Sequence, residues 1–112
     1  MATITKAELR NAALKKLGVL PSGQAASGED AELVDDLIDA MFEELDDVLT
    51  FSSSAIPLWA REPLVDVTCA MSAMYFGGAP IAKTKEMAIG DFATAKAAHV
   101  DWEQRDTENE YY

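Results

Sequence analysis

The sequence is poor in the residues that build catalytic and metal sites. Its 112 residues contain one histidine, His99, and one cysteine, Cys69. A single histidine excludes a two-histidine metal site and a histidine relay, and we expect it to cap helix carbonyls or to be solvated. A single cysteine excludes an internal disulfide, and its apolar neighbours predict a buried side chain. These absences argue against an enzyme.

The common ligand-binding motifs are also missing. The segment PSGQAASG, residues 21–28, lacks the Gly-Lys-Ser/Thr ending of a phosphate loop. The acids of residues 30–47 lack the glutamate–histidine pairs of helical di-iron sites and the glycine and distal glutamate of an EF-hand loop. We therefore predict no catalytic residue, no cofactor and no metal site.

Long apolar runs are absent as well. No stretch reaches the roughly 18 apolar residues of a membrane-spanning helix. The amino-terminal MATITKAELR has no apolar segment of the signal-peptide type, which predicts synthesis and residence in a cytosol. With 49% apolar residues, the chain fits one compact domain.

Basic residues are few and unevenly placed. Nine lysines and arginines stand against 20 acids, for a net charge of −11. Residues 1–20 contain four basic residues and one acid, whereas residues 21–60 contain ten acids and no base. Nucleic-acid binding draws on clustered basic side chains. We therefore do not expect DNA as a ligand, because most of this surface would repel a duplex.

The hydrophobic pattern predicts four helices and almost no strand. Thr5 and Glu8 form a capping-box pattern at the start of a helix that runs to about Leu17, with Gly18 at its end. The second helix is predicted over residues 30–49, where apolar residues recur at helical spacing and acids fill most other positions. These acids either form a solubilising face or serve a partner or channel.

The third and fourth predicted helices differ in character. The third follows Pro57, and its run from Leu64 to Phe76 is apolar nearly all round, as expected in the middle of a bundle or at a subunit interface. The fourth is predicted over residues 81–102 and is rich in alanine. We assign its buried side to a few apolar positions, with Trp102 as a further candidate: Ile81, Met87, Phe92, Ala93 and Val100.

The final segment, residues 101–112, has no apolar stripe of helical period. It is expected to bury little against its own domain, and to be either an arm that folds on a partner or a disordered tail without function. Trp102, Tyr111 and Tyr112 are candidate anchors for an arm, because amphipathic aromatic residues are favoured at interfaces.

Two segments of the sequence share a pattern with a known family. In residues 12–49, a short helix ends in Leu-Gly-Val-Leu at positions 17–20, a loop of small residues follows, and a long helix opens on acids. In residues 56–77, an Ile-Pro pair precedes an apolar helix that closes on an aromatic residue and glycine. These segments resemble the head-to-tail adaptor proteins of tailed bacteriophages, also called head completion proteins or tail accessory factors. Phe51 stands where many members have tryptophan, and Trp59 is expected to fill a related space.

The resemblance implies an all-α fold, here a small four-helix bundle over residues 1–100 with an extended carboxy-terminal arm over residues 101–112. It implies a structural virion protein that forms a ring, usually dodecameric, under the portal protein. The arm would grip the portal through Trp102, Tyr111 and Tyr112, and the other side would receive a downstream tail or stopper protein. Such a subunit is made in the host cytoplasm and works at the head-tail junction of the virion.

The uneven charge predicts how such a ring would close. We expect the basic first helix of one subunit to face the acidic second helix of its neighbour, through two sets of side chains: Lys6, Arg10, Lys15 and Lys16 against Glu32, Asp35, Asp36 and Asp39. The remaining acids would line the channel, so that DNA passes without specific binding. The rival interpretation is an acidic inhibitor that mimics DNA and blocks a DNA-handling enzyme.

Overall fold

The computed structural model describes residues 2–20, 27–78 and 81–109. Within these ranges the chain is mostly helical, which confirms the predicted all-α class. Its elements in chain order are β1 (Thr3–Ile4), α1 (Lys6–Lys16), α2 (Gly28–Glu44), β2 (Ile56–Pro57), α3 (Leu58–Ser72), a 3-10 helix (Ala73–Phe76) and α4 (Lys85–Asn109). The two short strands pair antiparallel, with Thr3 opposite Pro57 and Ile4 opposite Ile56.

The start and end of α1 agree with the sequence prediction. The Thr5 hydroxyl accepts a hydrogen bond from the Glu8 backbone N–H at 3.3 Å, which satisfies a donor that the first turn leaves open. Gly18 follows the helix with a φ of 77°, a left-handed conformation that glycine adopts without the steric cost of a Cβ. Leu9 and Leu14 point from α1 into the core and are fully buried.

α2 is shorter than predicted. Ser27 caps its amino end by accepting from the Asp30 N–H at 3.2 Å, and Val34, Ile38 and Met41 form its buried side. The helix ends at Glu44, and residues 45–48 form a turn instead of the predicted last turn of helix. Four acids crowd this end, with no basic residue in the last turn: Glu43, Glu44, Asp46 and Asp47. Negative charge is unfavourable at a helix carboxy terminus, which carries the negative end of the helix dipole.

α3 lies at the centre of the fold, as its apolar sequence predicts. It contacts α1, α2 and α4, and its contact with α4 is the most extensive. Side chains on several sides of the helix are buried: Ala60, Leu64, Val65, Val67, Thr68 and Ser72. After α3 and the 3-10 helix, Gly77 and Gly78 both adopt left-handed backbone conformations, with φ of 73° and 71°. These two residues turn the chain away from α3.

α4 differs from the prediction in both its limits and its buried side. It starts at Lys85, where the Thr84 hydroxyl accepts from the Met87 N–H at 3.3 Å, and its backbone remains helical to Asn109. Ala88 and Phe92 are buried, so Phe92 was assigned correctly. The other assignments to the buried side were wrong wherever the side chains are described, since these residues are exposed: Ile81, Met87, Ala93 and Val100. The reason is that an alanine-rich helix is apolar on more than one side, and α4 buries only a narrow stripe.

The orientation of α4 can be tested by truncating one buried and one exposed side chain of the helix. Phe92→Ala should lower the free energy of unfolding by about 3–5 kcal/mol, because it removes a buried aromatic ring. Met87→Ala, at an exposed position of the same helix, should change it by less than about 0.5 kcal/mol. Urea unfolding followed by circular dichroism measures both values. Equal losses in the two variants would contradict this orientation of α4.

Candidate interaction surfaces

Ion pairs join α1 to α2 within one chain. The Lys6 ammonium lies 3.1 Å from Asp39, and the Arg10 Nη1 atom lies 3.0 and 3.3 Å from the two carboxylate oxygens of Asp35. The Arg10–Asp35 pair is the less exposed of the two and therefore contributes more, since exposed pairs contribute about 0–1 kcal/mol. Four of the eight residues that we predicted to pair between neighbouring subunits thus already pair with one another inside one subunit. A contact of these four residues with a second subunit stays a prediction.

The other four residues of the predicted subunit interface form no ion pair with one another. Lys16 faces α3, where its ammonium is 2.5 Å from Asp66 and 3.6 Å from Glu62. Lys15, Glu32 and Asp36 are exposed and have no ion pair among the described residues. Of the eight residues of the predicted interface, these three carry the charges that the single chain leaves available to a partner.

Asp66 connects three parts of the fold, and the sequence prediction missed it. Its carboxylate, with the side chain only 11% exposed, lies 2.5 Å from the Lys16 ammonium and 3.9 Å from that of Lys83. Lys83 also bonds Asp91, so the network links α1, α3, the segment before α4, and α4 itself. The hydrogen bond with Asp66 raises the pKa of Lys16, and the hydrogen bond with Asp91 raises the pKa of Lys83. The available signal was an acid between Val65 and Val67, within the apolar run that begins at Leu64.

Cys69 is buried beside this network, as predicted. Its side chain is 5% exposed, and the thiol donates a hydrogen bond to the Ala13 carbonyl at 3.5 Å. Burial raises the pKa of the thiol to about 11, although the nearby positive charge of Lys16 opposes the change. The protonated thiol is a weak nucleophile, so this position does not favour cysteine chemistry.

The outer side of α4 forms an apolar depression of about 490 Å³, which we call the α4 trough. Its floor is Phe92, and its walls are Val48 from the turn after α2 and a row of side chains along α4: Ile89, Ala93, Lys96, Ala97 and Val100. The Lys96 ammonium donates to the Val48 carbonyl oxygen at 2.6 Å and so fastens the turn to the helix. The sequence prediction missed this surface because it placed Ala93 and Val100 in the core.

An aromatic cluster supports the trough from below. Trp59 packs edge-on against Phe51 with ring centroids 5.9 Å apart, and stacks on Phe92 at 5.7 Å. The adjacency of Phe51 and Trp59 agrees with the expectation that Trp59 fills the neighbouring space. His99 also stacks on Trp59, with ring centroids 5.0 Å apart and the ring planes 15° from parallel. The sequence did not predict this stacking, and the expectation that His99 caps helix carbonyls or is solvated stays a prediction.

The predicted docking arm is described only in part. Trp102 belongs to α4, whose backbone continues as a helix to Asn109. The backbone of residues 101–109 is thus helical, whereas the sequence predicted the fourth helix to end at about Trp102. Tyr111 and Tyr112 lie outside the described residues. The role of these three aromatic residues as portal anchors stays a prediction.

The described residues contain neither a metal-binding cluster nor a membrane-spanning helix. Among the described residues, no group of three or more histidine, cysteine, aspartate or glutamate side chains is arranged to hold a metal ion. In the same part of the chain, no helix has both the length and the apolar character to cross a membrane. Comparison with protein-family models, curated proteins and solved structures finds no match to this chain.

The Asp66 network can be tested with a pair of conservative variants. Asp66→Asn should lower the free energy of unfolding by about 1–3 kcal/mol, since it removes a charge-assisted bond from a nearly buried position. Glu62→Gln also removes a carboxylate beside Lys16, but from a side chain that is 66% exposed, and should change stability by less than about 0.5 kcal/mol. Denaturant unfolding at neutral pH compares the two. A loss from Glu62→Gln as large as that from Asp66→Asn would refute the assigned importance of Asp66.

The buried thiol predicts a loss of stability in alkaline solution. The native-state pKa of Cys69 is about 11 against an ordinary value of 9.0, so the native state retains a proton that the unfolded chain releases. This contribution is complete below pH 9.0 and is lost as the pH rises to about 11. It amounts to about 2–3 kcal/mol. Unfolding free energies measured from pH 8 to pH 11 should therefore fall more steeply for the native sequence than for Cys69→Ala.

The lysines provide an internal control for this experiment. Lys16 and Lys83 have raised pKa values, so both groups stabilise the fold below pH 10.5. This contribution is lost at higher pH, which predicts a further decline in the free energy of unfolding. Cys69→Ala retains this later decline. Identical pH profiles for the two proteins would show that the thiol is not buried as described.

Proposed function

We propose that the chain is a head-to-tail adaptor subunit of a tailed bacteriophage, a structural protein rather than an enzyme. In this proposal it forms a homo-oligomeric ring, dodecameric in the virion, under the portal protein and above a downstream tail or stopper protein. The resemblance of residues 12–49 and 56–77 to this family supports the proposal. So does the order of the observed elements, in which a short capped helix, an acidic helix and a central apolar helix follow one another.

The observation that carries the proposal is the length of α4. The helix has 25 residues and continues for nine residues beyond Val100, or about 14 Å at the usual helical rise. The chain is correspondingly elongated, with principal extents of 54 × 27 × 24 Å. An adaptor needs a part that reaches from its own body to the portal, and the end of α4 supplies such an extension. The finer architecture we propose is a small four-helix bundle with residues 101–112 as the arm, anchored by Trp102, Tyr111 and Tyr112.

The distribution of charge supports a revised mode of ring closure. Because Lys6, Arg10 and Lys16 are bonded within the chain, the exposed Lys15 is the remaining basic residue of α1 that can reach a neighbour. We propose that Lys15 contacts Glu32 or Asp36 of the next subunit in a head-to-tail contact. The acids that stay unpaired would face the channel, where negative charge keeps DNA phosphates from binding.

Native mass spectrometry tests the ring directly. We expect the purified chain, alone or mixed with the portal protein of its phage, to form a closed ring of about a dozen subunits that loosens with added salt. Lys15→Glu should weaken the ring, and the combination of Lys15→Glu with Glu32→Lys and Asp36→Lys should restore it. No ring under either condition would overturn the adaptor proposal. Tight binding to a nuclease or polymerase in place of the portal would instead favour the DNA mimic.

A further inference from the structure

The α4 trough leaves an apolar surface uncovered in the single chain. Val48 and Val100 are 39% and 45% exposed, and Ala93 and Ala97 are exposed along α4. The buried side of α4 packs on α3, so this is a second apolar side of the same helix. A surface helix of a globular protein ordinarily needs only one such stripe. A contiguous second stripe is therefore a candidate interaction surface.

The shape of the trough fits a helix. Ile89, Ala93, Ala97 and Val100 follow the i, i+4, i+8, i+11 pattern of one helix side, and they extend for about 16 Å. The turn at residues 45–48 forms the other wall and is held in place by the bond between Lys96 and Val48. The two alanines allow a partner helix to approach closely, towards the lower end of the usual interaxial range of about 8–10 Å. Helix-in-groove docking uses this kind of surface.

Three exposed acids stand next to lining residues of the trough along the chain, and we call them its rim. Asp46 and Asp47 directly precede Val48 in the turn, and Glu86 lies three residues before Ile89 on the same side of α4. All three acids are exposed, and none has an ion pair in the part of the chain that the structure describes. Lys96 also lines the trough, but its ammonium is bonded to the Val48 carbonyl oxygen. An occupant with basic side chains beside its apolar face would therefore complement this rim.

A second copy of the chain fits this surface poorly. The chain carries a net charge of −11, and its basic helix, α1, has Leu9 and Leu14 already buried in its own core. We propose that the α4 trough binds an amphipathic helix of a partner protein, with an apolar face flanked by lysine or arginine. This proposal concerns the single chain and stands whether or not the chain forms a ring.

Two synthetic peptides test the chemistry of the occupant. Both are helical, about 14 residues or roughly 21 Å long, with the same leucine and alanine face; one has lysine at its edges and the other glutamate. Each is titrated into the isotope-labelled chain and followed by backbone amide shifts. We expect the lysine peptide to shift Val48, Ile89, Ala93 and Val100, and to bind at least about tenfold more tightly than the glutamate peptide.

Matched variants separate the trough from general attraction to an acidic protein. Ala93→Gln with Ala97→Gln fills the trough without changing charge and should weaken the lysine peptide about tenfold or more. Ala98→Gln makes the same change at an exposed position on the opposite side of α4 and should have no effect. Circular dichroism and thermal unfolding confirm that each variant folds.

The rim is tested by removing equal charge at two places. Asp46→Asn with Asp47→Asn should weaken the lysine peptide several-fold more than Glu32→Gln with Asp36→Asn, which neutralises two exposed acids on α2 outside the trough lining. The proposal is overturned by an absence of saturable binding up to about 1 mM, or by equal loss in both double variants. It is also overturned if sedimentation shows a dimer that Ala93→Gln with Ala97→Gln dissociates, since a second copy would then occupy the trough.

Discussion

The need to cover α3 determines the arrangement of the other helices. This helix presents buried apolar side chains on several sides, including Leu64, Val65 and Val67, and one helix alone cannot cover them. α1, α2 and α4 therefore pack around it, and the strand pair fixes its amino-terminal approach through Ile56. This burial is the main source of stability, because each Å² of apolar surface removed from water contributes about 25 cal/mol. The ion pairs then select among ways of covering the same helix.

Charge acts mainly at the borders between the packed helices. Arg10–Asp35 and Lys6–Asp39 align α1 with α2, while Asp66 holds Lys16 and Lys83 at the opposite border. Most basic residues of the chain are thus engaged within the fold, and the surplus of acids is left on the surface. A chain with this balance favours partners that bring positive charge. Both proposed contacts, ring closure through Lys15 and docking at the α4 trough, follow from which charges the fold leaves unpaired.

The sequence predicted the features that depend on neighbours along the chain. The Thr5 cap of α1, the glycine after it, and the apolar side of α2 are local patterns, and the structure confirms them. The face of α4 was not predictable in the same way, because alanine gives little contrast between a buried and an exposed position. The partner of Lys16 also depends on which helix lies beside α1. That is a property of packing between residues 50 positions apart in the sequence.

The candidate interaction surfaces likewise combine features that the sequence predicted with features that depend on packing. The acidic excess of α2 was evident in the sequence, but its pairing with α1 inside one chain needed the geometry of both helices. The trough was missed because its walls come from α4 and from Val48, which the sequence placed within a longer α2. Its formation depends on α2 ending at Glu44, so that the following turn can fold towards α4. Sequence periodicity does not report such an early helix end.

Gly77 and Gly78 restrict the sequence at a place where side-chain packing does not. Both residues adopt left-handed backbone conformations, and an added Cβ at either glycine would meet open space rather than a neighbouring atom. Substitution there would be resisted by torsional strain and not by crowding. Both positions are also exposed. The sequence tolerance of this dipeptide is therefore governed by backbone conformation alone, and exposure at this point of the surface does not imply freedom to vary.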